Sequence, residues 1–101
     1  MGKRPEKCKD VLSRTRERLA EGRYRDTRHA ASRKEERGIS LPEIRQVIDG
    51  GWHEKSKDEF KQEWHAWNYA IRGKTVDGRE LRIAVSFDEE DHLLLITAIE
   101  W

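Results

Sequence analysis

Residues 80–99 read ELRIAVSFDEEDHLLLITAI, and this stretch decides the fold. From Leu81 to Phe87 the residues alternate: Leu81, Ile83, Val85 and Phe87 fall on one side, and Glu80, Arg82, Ala84 and Ser86 on the other. A period of two is the signature of a strand with one buried face. The acidic run Asp88 to Asp91 then makes a polar turn, and HLLLITAIEW follows, apolar on both faces from Leu93 to Ile99. Such a strand is expected to be central in a sheet or covered on both sides.

Working outward, Asp77-Gly78 is a hairpin signal placed just before Glu80. The preceding stretch, WHEKSKDEFKQEWHAWNYAIRGK, begins as a charged connector and becomes a strand near Trp64. In that strand Trp67, Tyr69 and Ile71 share one face, opposite Ala66, Asn68 and Ala70. Three consecutive antiparallel strands are therefore expected in the C-terminal half.

Upstream, ISLPEIRQVIDGG carries a complete helix start. Ser40 and Glu43 have capping-box spacing, and Ile39 with Ile44 has the spacing of a hydrophobic staple. Leu41, Ile44, Val47 and Ile48 form its apolar face, and Gly50 or Gly51 ends it. A second helix is expected from a cap at Asp26 or Thr27 to about Arg37, ended by Gly38. A third is expected between Pro5 and Gly22, with Cys8, Val11, Leu12, Thr15 and Leu19 in a thin stripe on an otherwise solvated surface helix. RYRD, from Arg23, offers a weak signal for a short edge strand. The fold class is α+β, with N-terminal helices packed on a small antiparallel sheet. Residues 1–22 form a basic helix, residues 23–101 form the α+β unit, and the whole makes a single compact domain. Removing residues 1–22 is expected to leave that unit folded.

The formal net charge of +1 hides an asymmetry. Residues 1–37 hold 13 Lys+Arg against 7 Asp+Glu, whereas residues 38–101 hold 8 against 13. The basic part is suited to an acidic partner or to the chain's own acidic half. The single cysteine, Cys8, forms no internal disulfide, which fits a reducing compartment. The first ten residues contain no apolar run of a secretory signal, and no segment has the length of apolar sequence that a bilayer requires. A cytoplasmic protein with no membrane partner is expected.

Within TRHAASRKEERGISLPE (27–43), His29, Arg33 and Arg37 stand four residues apart. On a helix, that spacing drifts by roughly 40° per step, so the three share one broad face. One imidazole to move a proton and two guanidinium groups to stabilise phosphate charge are what phosphodiester cleavage requires. Arg33 and Arg37 can equally pair with Glu36, Glu43 or acids elsewhere, leaving His29 as a surface or capping residue. Thr97, the one polar residue between Leu93 and Ile99, can touch a substrate if its face opens to a cleft, although a β-branched residue is also simply at home in a strand. Trp52 and Trp64 are the expected surface rings, and Trp67 and Tyr69 the expected core. The histidines 29, 53, 65 and 92 lack zinc spacing, and Asp88 to Asp91 lack the spacing of a calcium loop, so no metal and no cofactor are expected.

The pattern T-x-H-A-x-x-R-x-x-E-R-G-I-S-x-x-E-I-x-x-V-I, together with the aromatic strand, the hairpin and the closing I-T-A-I strand, resembles a small bacterial family, the domain-of-unknown-function family 4258. The resemblance covers nearly everything after Arg23. That family is similar to the BrnT and RelE-like toxins. The resemblance implies a metal-independent endoribonuclease in which the ribose 2′-hydroxyl attacks its own phosphate, acting as the toxin of a toxin–antitoxin pair. RNA and an antitoxin protein are the implied partners. The implied site is His29 as general base or acid, Arg33 and Arg37 on the phosphate, and Thr97 orienting substrate or Arg37. A non-catalytic protein- or RNA-interaction module on the same fold is the alternative.

Overall fold

A computed structural model describes residues 4–28 and 38–100. Its elements, in chain order, are α1 (Val11–Ala20), β1 (Tyr24–Asp26), α2 (Leu41–Gly50), β2 (Trp52–His53), β3 (Glu59–Lys61), β4 (Ala66–Lys74), β5 (Glu80–Phe87) and β6 (Leu93–Glu100). Single 3₁₀ turns, Lys55–Lys57 and Gln62–Trp64, flank β3. The class is α+β, as expected. No described helix is long and apolar enough to cross a membrane.

β4, β5 and β6 form the expected antiparallel meander. Its first turn carries Gly78 at φ +87°, and the Thr75 N–H donates to the Arg79 carbonyl at 2.9 Å. Asp88 closes the second turn: its carboxylate accepts from the backbone N–H groups of Glu90 (2.9 Å) and His92 (2.8 Å). The sheet runs β1-β6-β5-β4-β2, with β3 also paired to β4. It is mixed rather than purely antiparallel, because β1 lies parallel to β6, with Tyr24 opposite Leu93. RYRD thus supplies the edge strand that its sequence only hinted at.

Three other expectations are amended. The charged connector contains β2 and β3, both antiparallel to β4. Strands this short carry too little alternation to read, and the exposed backbone of β4 recruits them. The helices are not all N-terminal, since α2 follows β1; the helix expected up to Arg37 lies outside the described residues beyond Arg28. α1 begins at Val11, not near Pro5. Its thin stripe is core: Val11, Thr15 and Leu19 are buried, although the rest of the helix is charged.

α2 is built as its sequence requires. Ser40 Oγ accepts from the Glu43 N–H, and the Glu43 carboxylate accepts from the Ser40 N–H at 3.0 Å, completing the capping box. Ile39 and Ile44 are both buried. Ile44, Val47 and Ile48 pack with Ile71, Leu81, Ile83, Val85 and Leu95 in a core shared with α1. α2 approaches β4 closely where both are glycine. A Cβ on Gly51 would lie 2.3 Å from the Arg72 carbonyl oxygen, and one on Gly73 would lie 2.9 Å from the Gly51 Cα.

Candidate functional site on the outer face of the sheet

The two described helices contribute to the core on one side of the sheet. The other side of β5 and β6 opens as a groove of about 1100 Å³. An irregularity in pairing determines which residues face it. Val85 is opposite Leu95, but Ala84 is opposite Thr97, so Ile96 is an extra residue in β6. Simple alternation from Leu93 and Leu95 would send Thr97 into the core. The bulge reverses the phase. Ala98 is fully buried instead, and Leu94, Ile96 and Thr97 line the groove.

Thr27 lines the same groove. Its N–H and its hydroxyl both donate to the Leu95 carbonyl, at 3.0 and 2.7 Å, which extends the β1–β6 pairing by one residue. Next to it, the Arg28 guanidinium grips the Asp26 carboxylate through two bonds of 2.8 Å and donates to the Ile39 carbonyl at 2.9 Å. The segment carrying His29, Arg33 and Arg37 is therefore entered directly from a residue of the groove wall. Those three side chains lie outside the described residues. Gly38, just after them, has φ +78°, the left-handed conformation expected of a stop signal.

The described wall combines apolar residues of β5 and β6 with the acidic residues of the turn between them. Trp64, which is 56% exposed, and His65 line the groove together with Asp88, Glu89 and Glu90 of the β5–β6 turn. The backbone N–H bond from His92 holds the Asp88 carboxyl below the ordinary carboxylate range, so Asp88 is ionised at neutral pH. No Lys or Arg is among the described lining residues. The Ser86 hydroxyl is committed to the Trp67 carbonyl at 2.8 Å, whereas the Thr97 hydroxyl has no hydrogen-bond partner among the described residues.

Residues 27–100 match the family described as Domain of unknown function (DUF4258). The chain belongs to this family. The DUF4258 span includes the whole groove and all four expected site residues, and it leaves α1 outside, as the sequence resemblance did. No curated protein and no solved structure matched the chain.

Sequence reasoning pointed to Thr97 but missed Thr27, Ser86 and His65 as groove residues. The one available signal was at Thr27, which immediately precedes the Arg-His pair and follows a tripeptide with strand potential. Among the described tryptophans, Trp52 and Trp64 are the exposed ones, as expected, at 51% and 56%. Tyr69 is core, while Trp67 is half-buried. Asp88, Glu90 and His92 bring ligand-type atoms within 4.8 Å of one another. Asp88 in that group already satisfies two backbone N–H groups.

Proposed function

We propose that the DUF4258 domain of this chain is a RelE/BrnT-like endoribonuclease, acting in the cytoplasm as the toxin of a toxin–antitoxin pair. One observation supports this reading above the others. The bulge at Ile96 turns Thr97 into the groove that Thr27, two residues before His29, also lines. Thr27, which leads through Arg28 into the stretch bearing the imidazole and two guanidinium groups, and the one uncommitted hydroxyl of β6 thus line one concave surface. In the reaction, the ribose 2′-oxygen bonds to phosphorus and the P–O5′ bond breaks. The 2′-hydroxyl proton passes to His29, and a proton returns to the departing 5′-oxygen. Arg33 and Arg37 stabilise the charge on the non-bridging oxygens, and Thr97 orients the substrate.

The test uses purified full-length protein and a mixed-sequence RNA. Wild type is expected to leave 2′,3′-cyclic phosphate ends. His29→Ala, Arg33→Ala and Arg37→Ala are each expected to slow cleavage by ~10²-fold or more while leaving the fold intact, the scale of losing one transition-state donor. Thr97→Val tests the hydroxyl alone. If wild type cuts no RNA and Arg37→Ala melts the protein, Arg37 is a structural ion-pair partner and the reading fails.

A second reading has its own observation. The acidic turn of Asp88, Glu89 and Glu90, which lines the groove together with exposed Trp64, repels a polyanion and suits a basic protein surface. On this reading the groove is a non-catalytic docking site. Charge reversal at Glu89 and Glu90 would then abolish partner binding, whereas it would strengthen RNA binding under the first reading.

A further inference from the structure

On the β3–β4 edge, a buried carboxylate sits beneath a basic segment. The Asp58 side chain is 1% exposed. It accepts from His53 Nε2 at 2.9 Å, from the Ala70 N–H at 2.9 Å, and from Lys7 Nζ at 2.6 Å. Lys7 also stands 5.0 Å above the Trp67 ring, and the Arg4 guanidinium lies 5.1 Å from the Phe60 ring centre. The main chain of the same segment is read as well. The Trp67 indole N–H donates to the Pro5 carbonyl at 2.8 Å, and the Cys8 N–H donates to the Tyr69 hydroxyl at 2.8 Å. Backbone contacts independent of sequence, combined with side-chain sites for particular residues, are how domains recognise extended peptides.

Two facts separate the notch from its occupant. His53, Asp58, Phe60, Trp67 and Tyr69 all lie inside the DUF4258 match, and residues 4–8 lie outside it. Residues 4–7 are themselves exposed, so they cover the notch without joining the core. A desolvated carboxylate needs a cation, and a flanking aromatic face adds to its attraction for one.

We propose that this notch is a binding site for a basic peptide with Arg and Lys three residues apart, occupied here in cis by the chain's own Arg4–Lys7 segment. The segment is a tethered competitor, and a basic segment of a partner protein binds by displacing it. A tethered ligand acts at an effective concentration on the order of millimolar, so trans binding is masked until the tether is weakened.

The experiment titrates a labelled peptide of residues 4–10, RPEKCKD, under reducing conditions into the full-length chain. Anisotropy is the readout. The chain carrying Arg4→Ala with Lys7→Ala is expected to bind at least tenfold more tightly than wild type, and the peptide with Ala in place of Lys7 is expected to bind that variant at least tenfold more weakly. Equal affinity of wild type and variant, or of the two peptides, overturns the proposal. If the double variant does not fold by circular dichroism, Arg4→Ala alone, which leaves the Lys7–Asp58 pair intact, is titrated instead. The peptide is then expected to bind it more tightly than wild type, and no gain overturns the proposal.

Discussion

Arg28 and Ile39 are joined across the ends of the segment that carries the proposed imidazole and guanidinium groups: the Arg28 guanidinium donates to the Ile39 carbonyl at 2.9 Å. The same side chain is held by both oxygens of Asp26. Arg28→Ala removes charge-assisted bonds from a partly buried position and is expected to cost about 1.5–3 kcal/mol. Urea unfolding measures this. A change below about 0.5 kcal/mol would mean that the clamp does not fix the segment's ends.

The glycine pair at the end of α2 separates sharply. Gly50 meets nothing within 4 Å of a built Cβ, whereas Gly51 would place one 2.3 Å from the Arg72 carbonyl oxygen and 2.4 Å from that of Val47. Gly50→Ala is expected to be neutral or to stabilise by up to ~1 kcal/mol. Gly51→Ala forces two backbones apart and is expected to cost at least the ~1–3 kcal/mol of overpacking. Thermal melts of the two variants should move in opposite directions or differ by several degrees.

α1 offers a paired test of burial. Leu19 lies in the core, and Leu19→Ala is expected to cost about 2–5 kcal/mol. Thr15 is fully buried, and its hydroxyl has no partner among the described residues. Thr15→Val replaces that hydroxyl with a methyl of similar shape and is expected to stabilise by about 1 kcal/mol or more. Both are read by denaturant midpoints; a destabilised Thr15→Val would show that the hydroxyl is satisfied.

Acid and alkali should each act through named groups. The hydrogen bond from the Arg18 guanidinium holds the Asp91 carboxyl below its ordinary range, and the Ser40 N–H does the same for Glu43. A depressed carboxylate pKa stabilises the fold above the unfolded value, and this contribution disappears as pH falls through the folded one. Stability should therefore drop below about pH 4, less steeply in Asp91→Asn. Burial pushes the Tyr69 hydroxyl up from 10.0 to about 12. A neutral phenol favoured by the fold contributes fully below pH 10.0, and the contribution is lost as pH rises toward about 12. Denaturant midpoints against pH check both limbs, with Tyr69→Phe expected to flatten the alkaline one.

The sequence by itself determined the parts whose signals are local. The capping box of Ser40 and Glu43, the staple of Ile39 and Ile44, the Asp77-Gly78 turn and the alternation of Leu81 to Phe87 each depend on residues a few positions apart, where backbone geometry and side-chain period act directly. The family pattern from Thr27 onward was legible for the same reason, and the match over residues 27–100 agrees with it. Tertiary structure alone decided the rest. β2 and β3 exist because β4 offers them a paired edge, and α1 is core because three residues of a thin stripe find α2 and the sheet. Asp58 draws its meaning from Lys7 and Ala70, which are 51 and 12 residues away in the sequence. Thr97 reaches the groove through one extra residue in β6. No propensity in LLLITAI marks Ile96 as that residue, because a bulge is set by the register with which the neighbouring strand pairs.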